Sequence, residues 1–355
     1  MRRTLLSLLV LVASSGVVSL DGQAPAQPAF RAGTTVVEVS AIVTKDGVPV
    51  ADLRADEVVV LDNGKPQELV AFEFVDLGRV EGPAQRRDFV LVLDDLHIAA
   101  EQSAPTIDAA LALVDALGPY DRLAVSTTGA VNLSFEFSTQ REAARETIRK
   151  FRGQMPRGQY MAGRLGGAEA SARSRIALDV LGQICEAVRS DTAERRALLL
   201  FSTGYVELRP DIGNRDTQNI WPDYLELLRE AALGNVAIYT VDPRGLRAPN
   251  TPAPWVSGGP PTMGSPTALA SDVTGSNAIL ALNTGGVQTR WTNDLTAGYA
   301  QLLQDSRQYY RLAYVQPEPA PGKAQPQTRG IKVKVTRPGV DVRARQRYAP
   351  ARDAS

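Results

Sequence analysis

Residues 89–95 read FVLVLDD, and this heptapeptide decides the fold. Phe89, Val90, Leu91, Val92 and Leu93 form an unbroken apolar run. A half-exposed strand would alternate, so a run of this length suits a strand buried on both faces. Asp94 and Asp95 then emerge at its C-terminal end. In open α/β sheets, ligands bind in the crevice beyond the carboxyl ends of the strands. The two carboxylates are therefore the first candidates for a functional site.

Toward the C-terminus, helical and strand-like stretches alternate. Ser103 is placed to cap a helix with Pro105 in its first turn; Ile107, Leu111, Val114 and Leu117 share one face, and Gly118-Pro119 stops it. Residues 123–127 read as a buried strand and 133–137 as an edge strand. Thr139 and Glu142 have capping-box spacing for a helix that turns Ile148 and Phe151 inward and ends at Gly153. Residues 168–189 predict a long amphipathic helix with Ile176, Val180, Ile184 and Val188 in one stripe. A strand at 197–201 runs into Ser202-Thr203-Gly204. A helix at 223–233 stops at Gly234, and a strand at 236–241 runs into Asp242-Pro243. Residues 248–275, rich in Pro, Gly, Ser and Thr, read either as a binding loop, with Trp255 and Met263 the apolar contact candidates, or as a disordered segment. A short strand, a turn at Thr284-Gly285-Gly286 and a last helix follow; Asn293 caps that helix, and Leu295, Tyr299 and Leu302 face inward. This alternation predicts an α/β, doubly wound, mainly parallel sheet over residues 88–306.

Both flanks read as β. Residues 34–78 carry β-branched runs broken by Lys45-Asp46-Gly47 and by the hairpin signal Asp62-Asn63-Gly64. Residues 307–349 alternate again, with Ile331, Val333 and Val335 on one side and Lys332 and Lys334 on the other. Neither flank can bury a core alone, so the two are expected to pack together as one small β-domain into which the α/β unit is inserted. Arg343, Arg345 and Arg347 alternate along the last segment; the usual reading is a solvated strand face, the other a stripe for an anionic partner.

Residues 1–24 have the layout of a signal peptide: Arg2 and Arg3, a short apolar stretch, and a small-x-small site at Gly22-Gln23-Ala24. Residues 25–33 read as a disordered spacer. The expected location is periplasmic or extracellular, with no stable membrane span after cleavage. The 39 Lys and Arg balance 39 Asp and Glu, which gives no support to nucleic acid as a partner. The one cysteine, Cys185, excludes internal disulfides and a thiolate zinc cluster. It reads as a core residue.

FVLVLDD, PYDRLAV, FSTQREA, ALLLFSTG, AIYTVDPRG, NTGG and YYRLAY, in this order, resemble the bacterial VWFA-related domain family, a relative of the von Willebrand factor type A domain. DGVPVADLRADEVVVLDNGKPQELVAF and RGIKVKVTRPGVDVRARQRY are similar to the segments that bracket it. The resemblance implies a metal-ion-dependent adhesion site at the top of the sheet. Its first motif, Asp-x-Ser-x-Ser, stands here as Asp94-Asp95-Leu96-His97-Ile98, with the aspartate kept and both serines gone. The loop at 158–167 offers no threonine ligand. Ser202-Thr203-Gly204 puts a hydroxyl where the family has its third, acidic ligand. A Mg²⁺ or Ca²⁺ ion held by Asp94 and Asp95 would thus be short of the roughly six oxygens such ions take.

These residues predict a degenerate adhesion site and an exported, non-enzymatic protein-recognition module. The partner would be a protein, bound through Asp94, Asp95, His97, Thr203 and Asp242. Each residue also has a plainer role: the aspartates as caps, Thr203-Gly204 and Asp242-Pro243 as turns, His97 as a loop residue. Two other classes stand beside recognition. One is a hydrolase using Asp94, Asp95 and His97, the only histidine; Ser202 lies outside any nucleophile elbow. The other is a purely structural envelope component.

Overall fold

A computed structural model describes residues 35–129, 136–155, 167–189, 194–205, 215–246, 275–319, 324 and 326–350. The signal peptide, the spacer, most of the 133–137 strand and nearly all of the 248–275 loop, with Trp255 and Met263, lie outside these residues.

The first flank supplies β1 (Val36–Lys45), β2 (Val48–Pro49), β3 (Val58–Asp62), β4 (Lys65–Gln67) and β5 (Leu69–Asp76). The middle of the chain runs β6 (Asp88–Leu93), α1 (Ser103–Ala116), β7 (Arg122–Thr127), α2 (Arg141–Arg149), α3 (Gly167–Ala187), β8 (Arg196–Phe201), α4 (Arg215–Leu233), β9 (Val236–Val241), α5 (Ser276–Thr284), β10 (Gln288–Thr289) and α6 (Thr296–Asp305). The second flank supplies β11 (Gln308–Val315), β12 (Arg329–Val335), β13 (Asp341–Ala344) and β14 (Arg347–Tyr348).

The middle strands form a five-stranded sheet in the order β10-β9-β8-β6-β7, with every pairing parallel. Each residue of β6, β8 and β9 is buried. The pleat explains how: Phe89, Leu91 and Leu93 pack with α1, α2 and α6 on one face, whereas Val90 and Val92 pack with α3, α4 and α5 on the other. A strand covered on both sides favours apolar residues at successive positions, which is why FVLVL reads as a continuous run.

The flanks share two antiparallel sheets. One has the order β13-β1-β11-β5, with β2 beside β1; the other has the order β14-β12-β3-β4. Val39 and Tyr310 from the first and Val60, Ile331 and Tyr348 from the second meet in one apolar cluster. Inside it, buried Asp62 accepts hydrogen bonds from Tyr314 and Tyr348 hydroxyls at 2.8 Å each and from Arg329 Nε at 2.6 Å. The sandwich abuts the N-terminal ends of the parallel strands. Tyr309 Oη accepts from the backbone N–H of Arg195, just before β8, and Asn235, just before β9, accepts from Ser40 and Arg345. The C-terminal strand ends therefore point away from it.

Several local expectations differ from the structure. Ser103 begins α1 without capping it; its hydroxyl instead accepts from Gly153 N–H. Gln140 precedes α2 and no Thr139 cap forms. Ile176 is 50 % exposed, because α3 turns Ala177, Leu178, Leu181 and Ile184 toward the sheet. Residues expected as a short strand before Thr284 form α5, which ends at Gly285 in the left-handed conformation, φ 87°. Asn293 does not cap α6; its side chain accepts from Leu246 N–H. Arg345 is buried rather than solvated.

Candidate functional site

The site is built where β6 ends. Asp94 N–H continues the sheet by bonding Phe201 O at 2.9 Å, after which the chain turns sharply: Ile98 N–H returns to Asp94 O at 2.9 Å. That turn folds His97 back over the Asp94 carboxylate. Nδ1 of His97 lies 3.0 Å from Oδ1 and 2.9 Å from Oδ2. Thr128, just beyond β7, donates to Oδ1 at 2.5 Å. Ser202, just beyond β8, donates to Oδ2 at 2.6 Å. Three strand ends thus converge on one carboxylate with no exposed surface.

Asp95 points to the neighbouring side. Its Oδ1 accepts from Gly129 N–H at 2.7 Å and from Thr128 at 3.2 Å, and its Oδ2 accepts from Gln154 Nε2 at 2.6 Å. Gly129 allows this approach, since a Cβ there would stand 2.6 Å from Oδ2. Thr203 Oγ1 donates to His97 O at 2.7 Å and so pins the turn. On the far side of the imidazole, Ser174 Oγ in α3 lies 3.3 Å from Nε2. The Tyr205 ring meets the imidazole edge-on, at 4.9 Å between centroids.

The two carboxylates differ electrostatically. Burial opposes ionisation of Asp94, but the charge and hydrogen bond of His97 and the Ser202 and Thr128 hydroxyls outweigh it and hold the pKa below the usual aspartate range. For Asp95, burial dominates and is reinforced by the Asp94 charge, so the pKa rises despite the Gly129 and Thr128 hydrogen bonds. Burial and the nearby Asp94 also push the Tyr205 hydroxyl well above its ordinary value.

Asp94, His97 and Thr203 therefore bond to one another, and Asp95 stands beside them, joined to Asp94 through the Thr128 hydroxyl. Asp242 ends a neighbouring strand but binds Arg244, whose Nε lies 2.7 and 2.8 Å from its two oxygens. The expectation that Asp94 and Asp95 themselves touch a partner meets a geometric obstacle, since both are buried and their oxygens are engaged. The implied divalent ion does not fit either. The imidazole stands against both oxygens of Asp94 where a cation would, and hydroxyl donors fill the remaining directions. Among the described residues no cluster of three or more His, Cys, Asp or Glu is placed to hold a metal. Thr128, Gly129, Gln154 and Ser174 escaped the sequence reading. Applying the strand-end rule to β7 as well as β6 would have found Thr128 and Gly129; Gln154 and Ser174 carry no local signal.

At the β9 and β10 ends the surface changes character. Leu246 is 66 % exposed and Trp291 is 44 % exposed. Asn293 ties the two segments together through Leu246 N–H at 3.0 Å. Trp291 adopts φ 54°, a conformation that bulky side chains avoid. The Arg290 guanidinium lies 4.0 Å from its ring centroid.

No protein-family model matches the chain, and no curated protein matches it. Among solved structures it is similar to an aerotolerance-related membrane protein from Bacteroides fragilis, with 11 % identity, 62 % of this chain and 98 % of that chain covered, and a TM-score of 0.37. BatB from Bacteroides thetaiotaomicron gives 14 % identity, coverage of 62 % and 96 %, and a TM-score of 0.34. The pilus adhesin SpaC from Lactobacillus rhamnosus GG gives 10 % identity, coverage of 88 % and 47 %, and a TM-score of 0.38. Likenesses of this size establish no family membership. Among the described residues, no helix is long and apolar enough to cross a membrane.

Proposed function

We propose that the protein is an exported, non-enzymatic protein-recognition module of von Willebrand A type. In this reading a partner docks against the C-terminal ends of the parallel strands, and no metal ion takes part. The supporting observation is Trp291, held exposed in a left-handed backbone conformation two residues from Asn293, which binds the backbone of exposed Leu246. Such strain costs about 1–3 kcal/mol, and it clusters at binding sites because folding alone does not reward it. The sandwich occupies the opposite end of the sheet, so this rim is free of it. Asp94, Asp95, His97 and Thr203 then serve as the rigid floor, while Leu246 and Trp291 make the contact.

The test is affinity capture from the native source with wild type, the double variant Leu246→Ser/Trp291→Ala, and Asp95→Asn. The reading expects a protein retained by wild type and Asp95→Asn and depleted at least ~10-fold by the double variant, a loss of about 1.4 kcal/mol. Equal retention by all three would overturn it.

A second reading rests on one alignment. Asp94, His97 and Ser174 stand in carboxylate–imidazole–hydroxyl order, at 2.9 and 3.3 Å, as in serine hydrolases. Ser174 is fully buried within α3, which weighs against it. Fluorophosphonate labelling of Ser174 that disappears in His97→Ala would favour this hydrolase reading over recognition.

A further inference from the structure

At the N-terminal ends of the parallel strands, the linker after β5 and the turn between α1 and β7 border a cleft of about 200 Å³. Leu77, Pro119 and Tyr120 give it apolar walls, and Arg87, Asp121 and Arg307 give it charge. The walls are held in place. Arg141 Nη2 donates to Gly118 O at 2.8 Å and to Asp121 O at 2.7 Å. Gly118 N–H donates to Asp121 Oδ2 at 2.7 Å, so the turn that carries Tyr120 is braced at both ends. Arg307 O accepts from Leu77 N–H at 2.9 Å, which joins the linker to the start of the second flank. Gly78 leaves room for the Arg307 side chain, since a Cβ there would stand 3.2 Å from its Nε.

The charges of the lining do not cancel. Arg87 Nε and Nη2 hold Asp121 at 2.9 and 2.7 Å, and Nη1 donates to Leu303 O at 3.0 Å. That pair is neutral and satisfied within the chain. Other arginines of this end are matched in the same way, Arg79 by Asp76 and both Arg86 and Arg122 by Asp88. Arg307 is not. Among the described residues its side chain has no hydrogen bond or ion pair. Asp76 is engaged by Gly78 N–H, Gln308 and Arg79. Arg87 and Arg307 against Asp121 leave the lining with one net positive charge. An exposed arginine on an open surface needs no counter-ion but water. Here the cation shares a cleft with apolar walls, which provide a place for the body of whatever anion it holds.

We propose that this cleft binds a small monoanion built of one ring and one carboxylate, the carboxylate on Arg307 and the ring among Leu77, Pro119 and Tyr120. A guanidinium fork matches a carboxylate bidentately, and a Tyr ring takes another ring in offset or edge-on contact. A cavity of about 150 Å³ holds benzene, so this volume suits one ring with its acid group and no larger body. A single net positive charge favours a monoanion over a dianionic phosphate ester. The site lies at the far end of the sheet from the proposed recognition rim and does not depend on it.

The test is isothermal titration calorimetry of the purified chain with benzoate, benzamide and acetate at constant ionic strength. Wild type should bind one benzoate per chain at millimolar concentration. Benzamide, which lacks the charge, and acetate, which lacks the ring, should each bind at least ~10-fold more weakly. Arg307→Gln should weaken benzoate at least ~10-fold and leave benzamide unchanged; Arg307 is exposed, so this variant keeps the fold. Tyr120→Ala should weaken both ligands. Three results would overturn the proposal: no saturable benzoate binding by wild type, benzamide bound as well as benzoate, or benzoate bound by Arg307→Gln as well as by wild type. A peptide with a C-terminal phenylalanine that bound more tightly than benzoate would also overturn it, by making the cleft a peptide site.

Discussion

His97 Nδ1 straddles the Asp94 carboxylate, 3.0 Å from one oxygen and 2.9 Å from the other, where the adhesion-site resemblance would put a metal ion. The imidazole is thus the built-in counter-group of a carboxylate that has no contact with solvent. Breaking a buried pair by removing one partner is costly, because the other is left unmatched. His97→Ala should destabilise the fold by about 3 kcal/mol, and Asp94→Asn should cost less on the His97→Ala background than alone. Urea unfolding in a double-mutant cycle measures both; additive costs would remove the coupling claimed here.

The adjacent carboxylates should shape the acid limb in opposite directions. Asp94 titrates below the ordinary value of 3.8 in the folded state, so its stabilisation is complete above that pH and is lost as pH falls through the folded pKa. Asp95 titrates above 3.8, so the fold gains stability as pH falls through its folded pKa toward that value. Urea midpoints across an acid pH series should show Asp95→Asn without this gain and Asp94→Asn without the later loss. Parallel curves for the two variants would contradict the opposed shifts.

Trp291 should trade stability for exposure. Relieving its positive φ with glycine recovers about 1–3 kcal/mol, of which glycine's extra unfolded-state freedom takes back up to about 1. Trp291→Gly is expected to be about 1 kcal/mol more stable than wild type and weaker in partner capture. A destabilised variant would show that the indole is held by packing.

The α3 face offers a direct contrast. Ile176→Lys should fall within about ±0.5 kcal/mol of wild type, because the side chain is half exposed. Ile184→Ala should cost about 2–5 kcal/mol, because Ile184 is fully buried in the core cluster. Chemical denaturation separates the two, and similar costs would mean the α3 rotation is wrong.

Gly153 precedes Gln154, the residue that secures Asp95. A Cβ at Gly153 would lie 2.3 Å from Ile98 O, and backbone cannot yield as a side-chain tip can. Gly153→Ala should destabilise by about 2–4 kcal/mol. A neutral result in thermal melting would show that this loop can move away at little cost.

Much of the sheet was legible because burial on two faces favours an apolar run: β6 and β8 carry unbroken ones, and β9 carries one broken only by Thr240. The strand-end rule also led to Asp94, Asp95 and Thr203. Helix faces were read less well. Alanines such as Ala109 and Ala177 occupy tight helix–sheet contacts, and a stripe sought in larger residues rotated α3 toward Ile176. The caps failed for a related reason: Ser103 and Asn293 have partners far away in sequence, at Gly153 and Leu246, which outcompete the local cap.

The sequence by itself determined which segments are strands buried on both sides and that two carboxylates stand where one of them ends. Only the tertiary structure decided that those carboxylates face inward. Their partners, Thr128, Gln154 and Ser202, come from separate strand ends and a loop, and Ser174, which meets His97 from behind, comes from a helix. The same holds for Arg345: alternation along a strand says which side chains share a face, but what covers that face is set by segments more than a hundred residues away.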